Sequence, residues 1–187
     1  TGDIFRYHLK NGTELGTLAR EYIDKGQLVP DRVVCDIVAS RLADDECQDG
    51  TLLDGFPRTV AQAEMLFEWL AGQGRKVGAV INLEVDNAVL VPRLSGRRTC
   101  LSCGATFHVA HNPPGPGGAC TRCSAEVVQR DDDTEATVLA RLQTYARDTA
   151  PVLAWLQSRA DVHTVDGAVA IDEVGVAIRQ ALAPLKG

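Results

Sequence analysis

The chain has 187 residues, 45% hydrophobic and 24% charged, with a formal net charge of −6 and a pI near 5.2. A chain this long buries about 70% of its unfolded surface, so it forms a core without help from metal or disulfides and is not a disordered tail. No apolar run reaches the ~18 residues of a membrane span, no basic n-region precedes an apolar h-region, and the acidic balance argues against non-specific nucleic-acid binding, which needs a cationic face.

Residues 1–26 read as two short helices parted by Asn11-Gly12, with Gly26 placed to cap the second. Pro30-Asp31 opens a third helix whose apolar stripe is Val33, Val34, Ile37, Val38 and Leu42. Thr51-Leu52-Leu53-Asp54 is expected to be a short buried strand running into Gly55-Phe56-Pro57-Arg58. Thr59-Val60-Ala61-Gln62 then has the capping-box pattern and starts a helix to about Ala71. Val77 to Val85 is the best strand, and a helix follows from Asp86 to about Ser95. Between Gly96 and Asp133 the helical period disappears and Gly, Pro and Cys concentrate, which marks an inserted module. From Thr134 the stripe returns (Val138, Leu142, Tyr145, Thr149), with Pro151 dividing a helical segment that runs to about Arg159. A strand at Val162–Gly167 and a helix over 171–184 close the chain. Strands alternating with helices imply an α/β fold, a doubly wound parallel sheet with helices on both faces.

Four of the six cysteines form two tight pairs, Cys100/Cys103 and Cys120/Cys123, each followed by a small residue and Ala (Gly104-Ala105, Ser124-Ala125). Two such knuckles bring four thiolates around one tetrahedral Zn²⁺; two disulfides and four free thiols are the alternatives. A closed four-thiolate shell has no open position, so the metal is expected to be structural. His108 and His111 lie nearby as rival ligands or plain loop residues. Cys35 reads as a buried thiol, Cys47 as a surface thiol in a polar turn, and Trp69 and Trp155 as core.

An Asp that closes an apolar strand is where phosphoryl-transfer enzymes place the carboxylate orienting Mg²⁺ and its waters, which gives Asp54 a role beside the plainer one of a turn residue. Arg93, Arg97, Arg98, Arg130 and Arg141 surround the insertion. Arg97 and Arg130 bracket it at its two ends, so folding the module over brings them to one place, where Arg forks suit the charge on phosphoryl oxygens.

These motifs together resemble adenylate kinase in its long-lid, zinc-bearing form: Thr1-Gly2-Asp3-Ile4-Phe5-Arg6, Gly26-Gln27-Leu28-Val29-Pro30-Asp31, Leu53 to Thr59, Gly96-Arg97-Arg98, the four Cys, Arg130 to Asp133 and Val165-Asp166-Gly167, all in order. The resemblance implies a P-loop NTPase-like fold with a small zinc-ribbon lid, and transfer of a phosphoryl group between ATP and AMP to give two ADP, with Mg²⁺. It implies an AMP site of Thr1, Arg6, Gln27, Leu28, Val29, Gly55, Phe56, Pro57, Arg58 and Gln62, with the two arginines on the phosphate and Gln62 reading the adenine edge. Gln62 also suits a capping role, and one side chain is expected not to do both at once. ATP-side contacts fall to Arg93, Arg97, Thr106, Phe107 and the backbone near Val169. Arg130 and Arg141 bridge the two nucleotides, so Arg58, Arg97, Arg130, Arg141 and Asp54 form the catalytic set. Four segments follow: an AMP flap (1–30), core (31–95), lid (96–133) and core again (134–187), in a cytoplasmic monomer.

One family element is missing from these 187 residues: no Gly is followed by Lys, so there is no Gly-x-x-x-x-Gly-Lys phosphate loop. The intact protein is therefore expected to carry about 30 further N-terminal residues with that strand, loop and helix, and the 187 residues alone to be nearly inactive. The competing readings are a non-catalytic nucleotide-binding or partner-binding relative, and a zinc-ribbon interaction protein.

Overall fold

The structure, a computed structural model, describes residues 2–24 and 29–186. The chain divides into two compact units, Thr1–Val80 with Arg147–Val162, and Ile81–Ala146 with His163–Gly187.

In the first unit, α1 (Gly2–Asn11) and α2 (Glu14–Asp24) meet at Gly12, whose φ of +57° lies in the left-handed region. The Thr13 hydroxyl ties the corner, accepting from Gly16 N–H at 3.1 Å and lying 2.8 Å from His8 Nδ1. Helix α3 (Asp31–Leu42) serves two cores. Val33 and Ile37, one turn apart, pack with Ala19, Leu9, Leu15 and Val29, whereas Val38 and Leu42 pack with Phe56, Leu66 and Leu70. Helix α4 (Val60–Gly72) supplies Leu66 and Leu70 to that second core, and Ala63 to a third with Val152 and Leu156 of α7 (Ala150–Gln157). Trp69 packs half-buried against the second core, and Trp155, half-buried against the third, meets Phe67 edge-on at 5.0 Å, so both indoles border the cores expected of them without being fully enclosed.

Two expectations fail here. Thr51–Asp54 is no strand: among the described residues no strand pairs with it, and Leu52 is 88% exposed. An apolar run becomes a strand only beside a partner ladder, which local composition cannot supply. Cys47 is buried, not a surface thiol, because Arg75 donates to the carbonyls of Leu42 (3.1 Å) and Cys47 (2.7 Å) and draws the turn inward.

The second unit holds β1 (Val80–Glu84) paired with β5 (Val162–Asp166), except for the first residue of each strand, which falls in the first unit. The bonds Val80 N–H to Asp161 O and Gly167 N–H to Glu84 O advance together along both strands, so the pair is parallel. The residues before Val80, expected in this strand from Val77, are outside the ladder. Helix α5 (Asn87–Ser95) is capped by Asp86, which accepts from Ala88 N–H at 2.7 Å, and it packs on α6 (Glu135–Thr144), capped by Thr134. Between them β2 (Arg97–Cys100), β3 (Thr106–His108) and β4 (Val127–Val128) form an antiparallel sheet in the order β3-β2-β4. Five residues in a π turn, Tyr145–Thr149, precede α7, so Pro151 sits in the first turn of a new helix, where its missing N–H costs nothing. Helix α8 (Ile171–Leu182) ends the unit. No helix of the described residues is long and apolar enough to cross a membrane.

Candidate functional site

The first group of candidate residues is the turn from Asp54 to Gln62. Gly55 has φ +70°, and a Cβ there would sit 3.0 Å from Arg58 Nη2, so glycine suits both the backbone and the close approach. The Phe56–Pro57 peptide is cis; Phe56 is buried in the second core, which anchors the turn. Arg58 is held at three points: Nε donates to Gly55 O (2.8 Å), its N–H donates to Gln62 Oε1 (2.8 Å), and its carbonyl accepts from Thr149 Oγ1 (3.0 Å). The guanidinium stays exposed, as does Asp54. Thr59 caps α4 as expected, accepting from Gln62 N–H at 3.1 Å, but the Gln62 side chain reaches Arg58 N–H, one residue before the position a capping box uses. Asp31, from the start of α3, accepts from Gln62 Nε2 (2.7 Å) and Thr59 Oγ1 (3.0 Å). Arg6 lies on α1, and Val29 packs against Ala19 and Ile37. Thr1, Gln27 and Leu28, like the capping Gly26, lie outside the described residues.

The second group lies at the root of the Cys module. Arg97 donates to both oxygens of Asp133, at 2.8 and 2.5 Å. Asp133 is fully buried, and this two-pronged contact holds the Arg97 guanidinium above its ordinary value. Gln129 Nε2 bridges the carbonyls of Ser95 and Asp133 at 2.8 and 2.9 Å and closes the base. Arg130 grips Asp132 with two bonds (2.9 and 3.0 Å), and Arg141 donates to the Asp132 carbonyl at 3.1 Å. The short 3₁₀ turn Asp131–Asp133 thus collects Arg97, Arg130 and Arg141. Arg93 donates to Gly167 O at 2.9 Å. Thr106 and Val169 are exposed, while Phe107 is buried under the module with Ala105, Cys100 and Cys120.

The third group is the four cysteines. Their Sγ atoms all lie within 4.8 Å of one another; the nearest pairs, Cys100–Cys123 and Cys103–Cys120, stand 3.5 and 3.6 Å apart. A tetrahedral cage with bonds of about 2.3 Å has sulfur edges of roughly 3.8 Å, whereas a disulfide requires about 2.05 Å. The knuckles repeat atom for atom. Cys100 N–H donates to Ala105 O and Cys120 N–H to Ala125 O, at 2.9 and 2.8 Å, and the residue after each second cysteine is left-handed, Gly104 at φ +71° and Ser124 at +60°. The Cys103 N–H directed at Cys100 lowers that thiol to about 6. Cys103, although helped by the Ala105 N–H, is pushed up to about 11 by the sulfurs around it. Four sulfurs this close cannot all carry charge without a cation among them, so the donor set is compatible with a metal centre.

Sequence reasoning missed Asp31, Gln129 and Thr149. The first signal for Asp31 was in view, since it follows Pro30 at a helix start, but its partners lie 28 and 31 residues away.

The sequence model of the adenylate kinase family matches residues 1–161. The chain belongs to the adenylate kinase family. A protein named adenylate kinase from Moorella thermoacetica is 50% identical over 182 residues, 97% of this chain and 84% of that relative. Adenylate kinases of Bacillus licheniformis and of a Geobacillus strain are 48% and 47% identical, covering 97% and 100% of this chain and 84% and 86% of their own lengths. The chain is thus a nucleoside monophosphate kinase, a phosphotransferase with the α/β P-loop NTPase-like fold of this family.

Proposed function

We propose that the chain transfers the γ-phosphoryl group of ATP reversibly to AMP, giving two ADP. The observation that carries this reading is the gathering of Arg97, Arg130 and Arg141 by Asp132 and Asp133. In transfer, charge spreads over the phosphoryl oxygens, and guanidinium forks stabilise it. Asp132 and Arg130 are each more than 40% exposed, so their pairing is weak and a phosphate displaces the carboxylate at little cost. The Arg97–Asp133 pair, buried on its Asp133 side, stays intact and fixes the other end of the set.

On the AMP side, Arg6 and Arg58 take the phosphate and Gln62 the base, with Thr1, Gln27, Leu28, Val29, Gly55, Phe56 and Pro57 around them. On the ATP side stand Arg93, Arg97, Thr106, Val169 and Phe107, the last through its backbone because its ring is buried. Mg²⁺ arrives with ATP as part of the substrate, screening its phosphates, and Asp54 orients the waters around it. Residues 1–30 act as the AMP flap and 96–133 as a lid that excludes water. Zn²⁺ held by Cys100, Cys103, Cys120 and Cys123 staples the two lid knuckles and leaves no position for chemistry. The working form is a monomer in a reducing compartment.

A coupled assay of ADP formation with AMP, CMP, UMP and GMP as acceptors tests the reading, with AMP expected to be preferred. The 187 residues alone should run near background, because they hold no Gly-x-x-x-x-Gly-Lys loop, and a strand, loop and helix joined ahead of them should restore transfer. Vigorous ADP formation by the 187 residues would overturn that part. Nucleotide binding with no transfer in either form would favour the second reading, a non-catalytic binder.

A further inference from the structure

An amide side chain has four hydrogen-bonding valences, two N–H donors and two lone pairs on oxygen. Gln62 spends one of each on the protein: Oε1 accepts from Arg58 N–H and Nε2 donates to Asp31 Oδ1. Both contacts fix which end is which, since a backbone N–H must face the oxygen and a carboxylate must face the NH₂. Among the described residues, one N–H and one lone pair remain without a partner. Those two match the base-pairing edge of adenine, where N1 accepts and N6 donates, the same acceptor-and-donor pairing that a Gln amide makes with N7 and N6 on the other edge of the base in DNA. A 6-oxopurine presents the reverse pattern, an N1–H donor and an O6 acceptor. A freely rotating amide reads either base by turning over; a pinned one reads only the first.

We propose that Asp31 is a specificity-determining positioning residue, which locks the Gln62 amide in the one orientation that accepts a 6-aminopurine and refuses a 6-oxopurine. Asp31 is itself held, because its second oxygen takes the Thr59 hydroxyl while Thr59 caps α4. The start of α3 and the start of α4 therefore form one clamp on one amide. In this arrangement Gln62 both supports the turn at Arg58 and reads the base, the two tasks that the sequence set against each other. The inference rests on the reading of Gln62 as the contact to the base.

The test is equilibrium binding of AMP and IMP by calorimetry to the chain with the strand, loop and helix joined ahead of it, its Gln62→Ala variant, and two variants of the clamp, Asp31→Ala and Asp31→Ser. The wild type is expected to favour AMP by tens of fold, about what one two-pronged base contact supplies, and Gln62→Ala to erase that preference. The Asp31 variants should lower the ratio roughly tenfold, as the released amide turns over to suit IMP. A purely structural role would lower the melting temperature and leave the ratio of the two dissociation constants where it was. If either folded Asp31 variant keeps the wild-type ratio while Gln62→Ala loses it, the clamp is wrong and the reading of Gln62 stands. If the wild type shows no preference, or Gln62→Ala keeps it, the reading itself fails and takes the clamp with it.

Discussion

The turn around Arg58 and the Cys module hold their shapes by opposite means. The turn leans on large cores: Phe56 is sunk among Val38, Leu42, Leu66 and Leu70, and Arg58 is fixed by backbone and amide hydrogen bonds. Among the described residues, the module's apolar core is Cys100, Ala105, Phe107 and Cys120, too little apolar area for an independent fold, and it relies on sulfur and on ion pairs at its root. The arginines differ to match. Arg58 is steered by a carbonyl and keeps its charge for a ligand, whereas Arg97 and Arg130 are matched by carboxylates. A segment that packs against a core can present an unmatched cation; one that does not needs its charges balanced locally.

Removing the metal should break this contrast most. With a chelator, the module is expected to lose several kcal/mol and unfold alone, as small metal-held modules do. Hydrogen exchange checks it: the Cys100 and Cys120 amides, bonded to Ala105 and Ala125, lose protection, while that of Ala63 in α4 is unchanged. Equal protection in both regions after chelation would show that the module needs no metal. Next in size is Asp133→Ala, which strands the Arg97 guanidinium. Loss of one partner of a fully buried pair costs about 3–5 kcal/mol, but the Arg97 side chain is 32% exposed and keeps some water, so about 2 kcal/mol is expected in denaturant melts. The smallest effect compares the two knuckles. Ser124→Gly should raise stability by on the order of 0.5–1 kcal/mol by relieving a left-handed serine, and Gly104→Ser should cost about 1 kcal/mol. Equal melting temperatures for both variants of the metal-loaded chain would mean that the knuckles do not share their backbone strain.

Local chemistry was legible in the sequence. The Cys-x-x-Cys spacing and its Gly-Ala and Ser-Ala echoes foretold the paired knuckles, because a knuckle is made by residues within six positions of one another. Thr59 at the head of α4 was equally plain, since an N-cap bonds its own next turn. What escaped depended on distant partners. Thr51–Asp54 has the composition of a strand and, among the described residues, no ladder to join. Cys47 sits in a polar stretch and is buried by an arginine 28 positions on. Asp31 looked like an ordinary first-turn acid, favoured at a helix N-terminus, and nothing local told of its hold on Gln62. The arginines at 97, 130 and 141 were recognisable as a set, but their division between Asp132 and Asp133 was not, because neighbouring aspartates are alike until the 3₁₀ turn sends one inward and leaves the other at the surface.

A cage made only of sulfur ranks ions by softness, and in that ranking cadmium or cuprous copper competes well with the ion a cell normally supplies. Cys103 and Cys123 are the exposed corners through which such an exchange would begin. If the four thiolates hold a structural ion, as proposed, the cage leaves no coordination position for a reactant, and a foreign ion there is expected to alter how long the knuckles stay folded and not the course of the reaction.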